Sequence, residues 1–148
     1  MYSVKDIENA VLQALAPLKS SGLVRVLESY GGAFDEEDIT KKTLLMPAVY
    51  VIWSGSELEG GNLTDAIVAR VSVIFCARSL RGEGAARRGA PEATGIYEIM
   101  DAARELVHRK PILNGWSVAF LEREGPLAYT HEGGLAIYEQ IYLLRARA

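Results

Sequence analysis

Hydrophobic residues near the N-terminus recur at the spacing of an α-helix. One face of the predicted helix carries Val4, Ile7, Ala10, Val11, Ala14, Leu15 and Leu18. Ser3 followed by Asp6 resembles a capping box, which places the first helical residue at about position 4. Pro17 and the small polar residues 20–22 are expected to end the helix.

Five later segments have the composition or the alternation of β-strands. They are residues 23–29, 44–53, 67–78, 116–122 and 135–145. Residues 44–53, LLMPAVYVIW, form the most apolar run, and their β-branched and aromatic side chains favour a strand over a helix. Pro47 fits the start of that strand but not its middle. Residues 67–78 alternate between apolar and polar positions, as a strand with one buried face does.

Two of the segments between these strands are predicted to be loops, and a third could be a loop or part of a strand. Residues 54–62 are rich in glycine and predict a hairpin loop, and residues 80–91 predict a loop without periodicity. Residues 123–134 are rich in turn formers and fit either a loop or an extension of a neighbouring strand. Pro91 opens a second predicted helix, which Pro111 stops. Its apolar face carries Ile96, Ile99, Met100, Ala103, Leu106 and Val107.

This order of elements predicts a single α+β domain over residues 1–148. Strands joined mostly by hairpins, with two helices set apart, favour a mainly antiparallel five-stranded sheet with two main helices on one face. The strands at 46–53 and 135–145 are apolar on both faces. Because two helices cover only one face, we expect the second face to be buried by self-association.

Composition narrows the class of protein. The chain has 148 residues, of which 49% are hydrophobic and 24% charged, which is typical of a globular domain. Its net charge of -3 argues against a protein that coats nucleic acid. The one cysteine excludes an internal disulfide and, with only two histidines, a cysteine-rich zinc site. Neither a signal peptide nor a membrane-spanning run is evident, so we expect no membrane partner.

The stretch ESYGGAFDEED at residues 28–38 admits three interpretations. It lacks both glycine-rich phosphate-binding patterns, and its four acids would repel a phosphate. It also lacks the ligand spacing of a calcium loop. We therefore interpret it as a structural turn, in which Gly31 or Gly32 has positive φ while Tyr30 and Phe34 anchor the turn to the core.

No catalytic grouping emerges from the remaining side chains. Cys76 lies near arginines that could activate it, yet nothing in the sequence links it to His108 or His131. A small buried hydrophobe is the favoured role for Cys76, a complement to the helix dipole for His108, and a solvated turn residue for His131. We predict no catalytic, metal or cofactor-binding residues, and no enzymatic activity.

Arginines cluster in and beside the predicted loop at residues 80–91. They are Arg78, Arg81, Arg87 and Arg88. Such a segment is either a solvated loop or an arginine arm that contacts a neighbouring subunit or DNA phosphates. No aromatic residues are interleaved to stack on bases, so sequence-specific nucleic-acid binding is not expected.

Tyr30, Gly32 and Phe34 form a Tyr-x-Gly-x-Phe pattern, which is followed by a strand pattern that begins at Pro47 and ends at Gly55. This combination resembles a tail protein family of unknown function found in Mu-like bacteriophages and prophages. Members of that family have the same turn before a strand that begins with proline and ends with glycine. The C-terminal sequence GGLAIYEQIYLLRA also fits that family. The arginine-rich segment at residues 80–91 matches no motif of that family.

That family in turn resembles the tail terminator proteins of long-tailed phages, which implies a function. Terminators form a ring of six copies. The ring stops growth of the tail tube and offers a docking surface to the head. The resemblance implies a homo-oligomer that contacts the tail tube and head-completion proteins. It implies assembly in the host cytoplasm and a final location in the virion tail. The alternatives are another head–tail connector or minor tail protein and, less favoured, a small enzyme or a host binding module.

Overall fold

The computed structural model describes residues 2–30, 46–59, 66–78, 83–89, 95–130 and 134–147. The helices among them are α1 (Val4–Ser20), α2 (Glu83–Arg88) and α3 (Ile96–Val107). The strands are β1 (Val26–Ser29), β2 (Ala48–Glu59), β3 (Ala66–Arg78), β4 (Phe120–Thr130) and β5 (Leu135–Arg147). These elements confirm the predicted α+β class.

The strands form one five-stranded sheet in the order β1-β2-β3-β5-β4. β1 runs parallel to β2, and every other neighbouring pair is antiparallel. The prediction of a mainly antiparallel sheet is therefore confirmed. Successive pairs from β2 to β4 alternate in direction, so β2 and β4 run in opposite directions.

The two main helices lie on one face of the sheet, as predicted. Ile7, Val11 and Leu15 of α1 and Ile99 and Ala103 of α3 are buried in the main core. They share that core with sheet residues Val49, Val51, Val71, Val73 and Phe75. The N-terminus of α1 is capped as expected, since the Asp6 N–H donates to Ser3 Oγ over 3.3 Å. The helix continues past Pro17 to Ser20 and leaves through Gly22, whose φ is +84°.

The second face of the sheet contradicts one expectation. Its apolar half forms a separate buried cluster of Ala48, Tyr50, Ile74, Cys76, Leu135 and Ile137, each exposed by 6% or less within a single chain. Val26, Tyr30, Met46 and Ile52 pack against this cluster. Toward the other end of the same face, Arg70 forms ion pairs with Glu57 and Glu122. Burial of this face therefore does not require self-association.

β2 extends through part of the predicted hairpin loop. The register shifts at a bulge between Trp53 and Gly55, after which pairing with β3 continues to Glu59. Gly55 has a φ of +125°, and Trp53 Nε1 donates to Ser56 Oγ over 2.9 Å across the bulge. Gly55, one of the three glycines that suggested a loop, is thus the glycine of a bulge.

The predicted loop at residues 80–91 and the predicted strand at 116–122 also need correction. α2 occupies residues 83–88, and its Ala86 is buried in the main core. β4 begins at Phe120 and continues to Thr130, with register shifts on both sides of a regular stretch. Residues 123–130 therefore extend a strand, which is one of the two alternatives that the sequence left open.

Candidate assembly surfaces

The predicted structural turn is described only at its first residue. Tyr30 is half-buried, and its ring meets Tyr50 edge to face at a centroid distance of 6.2 Å. Its N–H donates to the Val51 carbonyl over 2.8 Å, so Tyr30 prolongs the pairing of β1 with β2. Gly31, Gly32 and Phe34 lie outside the described residues, and their roles in the turn stay predictions.

The four candidate arginines do not share one environment. Arg78 and Arg88 are exposed, whereas Arg87 is half-buried, and Arg81 lies outside the described residues. The Arg87 guanidinium lies 5.9 Å from the ring centroid of Tyr97, and its Nη1 donates to the Tyr97 hydroxyl over 3.4 Å. Tyr97 in turn meets Tyr138 edge to face at 5.6 Å. Arg87 therefore connects α2 to Tyr97 of α3, whose ring packs against Tyr138 of β5.

The end of α2 also lies against the start of α3. A Cβ placed on Gly95 would lie 2.2 Å from the Gly89 backbone nitrogen and 2.5 Å from the Arg88 carbonyl carbon. Only glycine permits this approach, because a real Cβ does not come so close to backbone atoms. The contact holds the arginine-bearing helix in place beside the N-cap of α3.

Two of the residues considered as catalytic candidates, Cys76 and His108, have structural roles. Cys76 is 1% exposed, and burial raises the pKa of its thiol to about 12. A thiol held in its neutral form is a poor nucleophile. His108 Nδ1 accepts the Leu121 N–H over 2.9 Å, and its ring meets Phe120 at 4.9 Å. His131 lies outside the described residues.

A polar network that was not predicted from the sequence joins α3 to β4 and β5. Gln140 is fully buried and donates to the Met100 carbonyl over 3.0 Å and to Glu124 Oε1 over 3.2 Å. Its Oε1 accepts the Tyr142 hydroxyl over 2.7 Å, and burial raises the pKa of Tyr142. Arg104 completes the network through Glu124, 3.0 Å away. The sequence feature that could have indicated this network is Gln140, a polar residue in the middle of an apolar strand.

This network borders a cavity of about 220 Å³ between α3 and the sheet. Tyr97, Met100 and Tyr138 form its apolar lining, and Asp101, Arg104 and Glu124 line it with charge. Arg104 is paired with both Asp101 and Glu124, so the charged groups already satisfy one another. The described residues include no group of three or more histidine, cysteine or acidic side chains that could hold a metal ion.

A side chain or a connection caps part of the outer side of β2 and of the outer side of β4. On β2, just beyond the end of β1, the Glu8 carboxylate accepts the Trp53 N–H over 3.0 Å and the Ser29 hydroxyl over 2.7 Å. On β4, His108 accepts the Leu121 N–H, and residues 109–110 exchange backbone hydrogen bonds with Ala119. Beyond these caps, no strand in the described part of the chain pairs with the outer edge of either strand.

Comparison with known proteins identifies the family. The family model described as "Bacteriophage Mu, Gp37" matches residues 3–140. The chain belongs to the Gp37 family of Mu-like phages. The matched range runs from the N-cap of α1 to Gln140 in β5, so it includes the arginine-bearing α2 and every member of the polar network except Tyr142. The predicted resemblance to a Mu-like phage family is confirmed.

Two similar proteins extend this result. The "Mu-like prophage FluMu protein gp37" of Haemophilus influenzae is 26% identical over 139 residues, which cover 93% of this chain and 68% of that protein. A chain of a solved structure titled "Virion of native gene transfer agent (GTA) particle" has a TM-score of 0.60 and 11% identity, with both chains covered completely. At that identity, the second likeness shows that this Gp37-family chain shares the fold.

No helix among the described residues of this Gp37-family chain combines the length and the apolar character needed to cross a membrane.

Proposed function

We propose that this Gp37-family chain is a structural protein of a phage virion, and specifically the tail terminator. In this role it forms a ring on the end of the tail tube, stops tube growth and helps to join the tail to the head. Residues 1–148 act as a single domain and need no cofactor. Copies assemble in the host cytoplasm and remain in the virion tail.

The observation that carries the proposal is the fold likeness to a chain from a gene transfer agent virion over the whole of both chains. Family membership supports the same role independently, because a protein of a Mu-like phage family is expected to act in a phage particle or in its assembly. The environments of Cys76 and His108 support a non-enzymatic role. The Cys76 thiol is buried and neutral, and His108 Nδ1 accepts a hydrogen bond from the backbone N–H of Leu121.

The ring is a homo-oligomer with a head-to-tail interface, because a rotationally symmetric tube needs a partner with the same symmetry. Six copies are expected from the resemblance to terminators. Arg78 and Arg88 are exposed and suit a contact with a neighbouring subunit or with DNA phosphates. Arg87 contributes by fixing α2, and Arg81 is assigned the same contact role as Arg78 and Arg88.

Tail length in particles from an inducible prophage lacking the gene tests the proposal. A missing terminator leaves tube growth unchecked, so tails longer than wild type, with a broad length distribution and no attached heads, are expected. Normal tail lengths on particles that fail to infect would instead favour a minor tail protein. Tails of normal length beside unattached, filled heads would favour another head–tail connector. Complementation with the wild-type gene provides the control.

A further inference from the structure

We propose that two uncapped stretches, one on the outer side of β2 beyond β1 and one on the outer side of β4, pair with each other between neighbouring copies of the chain. They are residues 55–59 of β2 and residues 123–127 of β4. The contact extends the sheet from one copy into the next and forms the head-to-tail interface of the ring. It rests on the proposed function for the ring, but the contact itself is tested separately.

An edge strand presents N–H and C=O groups that have no partner in their own sheet and that can pair with a strand from another chain. Glu8 closes the β2 edge at Trp53, and His108 closes the β4 edge at Leu121. Each cap lies at one end of an edge, and the stretch beyond it is uncapped among the described residues. The fold thus caps part of each edge and leaves a strand-length piece available.

Each uncapped stretch also carries one strongly exposed leucine. Leu58 in β2 is 72% exposed and Leu127 in β4 is 48% exposed, the two highest values among the large hydrophobic residues described. Single exposed apolar residues are ordinary on protein surfaces. Their occurrence on both uncapped edges is informative, because apolar side chains stabilise strand pairs when they meet across the pair.

The directions of β2 and β4 and the symmetry of the contact fit a closed ring. β2 and β4 run in opposite directions, so β4 of one copy beside β2 of the next continues the antiparallel order. Because the two edges are different surfaces, the contact is head-to-tail and can close into a ring, unlike a two-fold pairing of β4 with itself.

The position of β1 adds a stagger to this arrangement. β1 occupies the outer side of β2 only opposite residues 48–51, so a neighbouring β4 must be shifted along the strand direction to reach residues 55–59. Closed sheets require a shift of this kind, combined with a tilt of the strands relative to the central axis.

Cysteine crosslinking tests the contact directly. Leu58→Cys and Leu127→Cys chains are purified separately, mixed at high protein concentration and oxidised. The native Cys76 is buried, so it does not compete. We expect a crosslinked dimer in the mixture and none in either variant alone. The doubly substituted chain should form a ladder that ends at one closed species.

Val118→Cys provides the matched control. Val118 is similarly exposed, at 43%, but it precedes β4 beside the capped part of the edge. A mixture of Val118→Cys and Leu58→Cys chains should therefore give no crosslink. Crosslinking of Leu58→Cys to itself would show a two-fold contact and overturn the proposal, as would a mixture with no crosslink or with no more than the control.

A second measurement separates this inference from the proposed function. Leu58→Glu should reduce self-association in sedimentation experiments while circular dichroism remains that of the wild type, and Val118→Glu should leave self-association unchanged. Overlong tails in the deletion strain, together with an absent crosslink, would overturn the edge contact alone. A specific crosslink together with normal tail length would overturn the terminator function alone.

Discussion

Removal of the Glu8 carboxylate should loosen the junction between α1 and the sheet. The two oxygens of Glu8 accept two hydrogen bonds, one from the half-buried Trp53 N–H and one from the exposed Ser29 hydroxyl. In Glu8→Ala the Trp53 N–H loses its acceptor at a bulge, where no strand in the described part of the chain replaces it. A polar group left unsatisfied when part-buried costs about 1–3 kcal/mol, and a lost surface hydrogen bond about 1 kcal/mol.

We therefore expect Glu8→Ala to lower the free energy of unfolding by about 2–4 kcal/mol. Glu8→Gln keeps one acceptor oxygen and should lose about half of that amount, whereas Ser29→Ala should lose about 1 kcal/mol. Urea unfolding followed by circular dichroism at constant m-value measures these differences. Circular dichroism is preferable to tryptophan fluorescence, because Trp53 is itself part of the site.

Gln13→Ala is the matched control, because Gln13 is exposed on the same helix and alanine is the best helix former. It should change the free energy of unfolding by less than about 0.5 kcal/mol. A value for Glu8→Ala within that same margin would refute the view that Glu8 closes the β2 edge. A Glu8→Ala, Ser29→Ala double variant equal to Glu8→Ala alone would confirm that the hydroxyl acts only through the carboxylate.

Three further changes test other parts of the fold. Gly95→Ala forces a Cβ into the backbone at the end of α2 and should lower thermal stability by about 1–3 kcal/mol, whereas Gly125→Ala, which meets open space, should be close to neutral. Gln140→Leu should cost about 1–3 kcal/mol in denaturant unfolding, because the buried Tyr142 hydroxyl loses its acceptor. Adding Tyr142→Phe should recover part of that loss, and no recovery would contradict the network. Stability should fall as pH rises from about 9 to about 12, because the folded chain retains the Cys76 proton that the unfolded chain releases. Burial also raises the pKa of Tyr50 and Tyr142, so Cys76→Ala should make the slope shallower mainly between about pH 9 and 10, and an unchanged slope there would contradict the assignment.

The sequence predicts the helical layer and most of the sheet because those elements bury one regular face each. Ser3 and the stripe from Val4 to Leu18 define α1, and the alternation from Ile67 to Arg78 defines β3 almost to the residue. Such patterns are local, so they are readable before any tertiary contact is known.

Errors arise where a tertiary contact decides the conformation. Gly55 has the composition of a loop, but its backbone forms a bulge that prolongs β2. Residues 83–88 have no helical periodicity, yet Arg87 on Tyr97 and the close approach at Gly95 hold them as α2. The burial of Tyr50 and Ile137 on the second face likewise depends on packing that no alternation pattern reveals.

The candidate surfaces were less accessible to sequence reasoning than the fold. Arg87 looked like its exposed neighbour Arg88, and only the position of Tyr97 distinguishes an anchoring residue from a surface residue. The edge caps by Glu8 and His108 join residues 45 and 13 positions apart in the chain, so no local spacing announces them. The exposed Leu58 becomes informative only once its strand is known to lie at an edge.

Imaging of intact particles tests the central claim most directly. A small tag on this Gp37-family chain, labelled in virions produced from the prophage and viewed by electron microscopy, locates the protein within the particle. The account predicts label at one place, the junction between head and tail, and a ring of density there that is absent from particles lacking the gene. Label along the tail, at its distal tip, or absent from purified virions would contradict it.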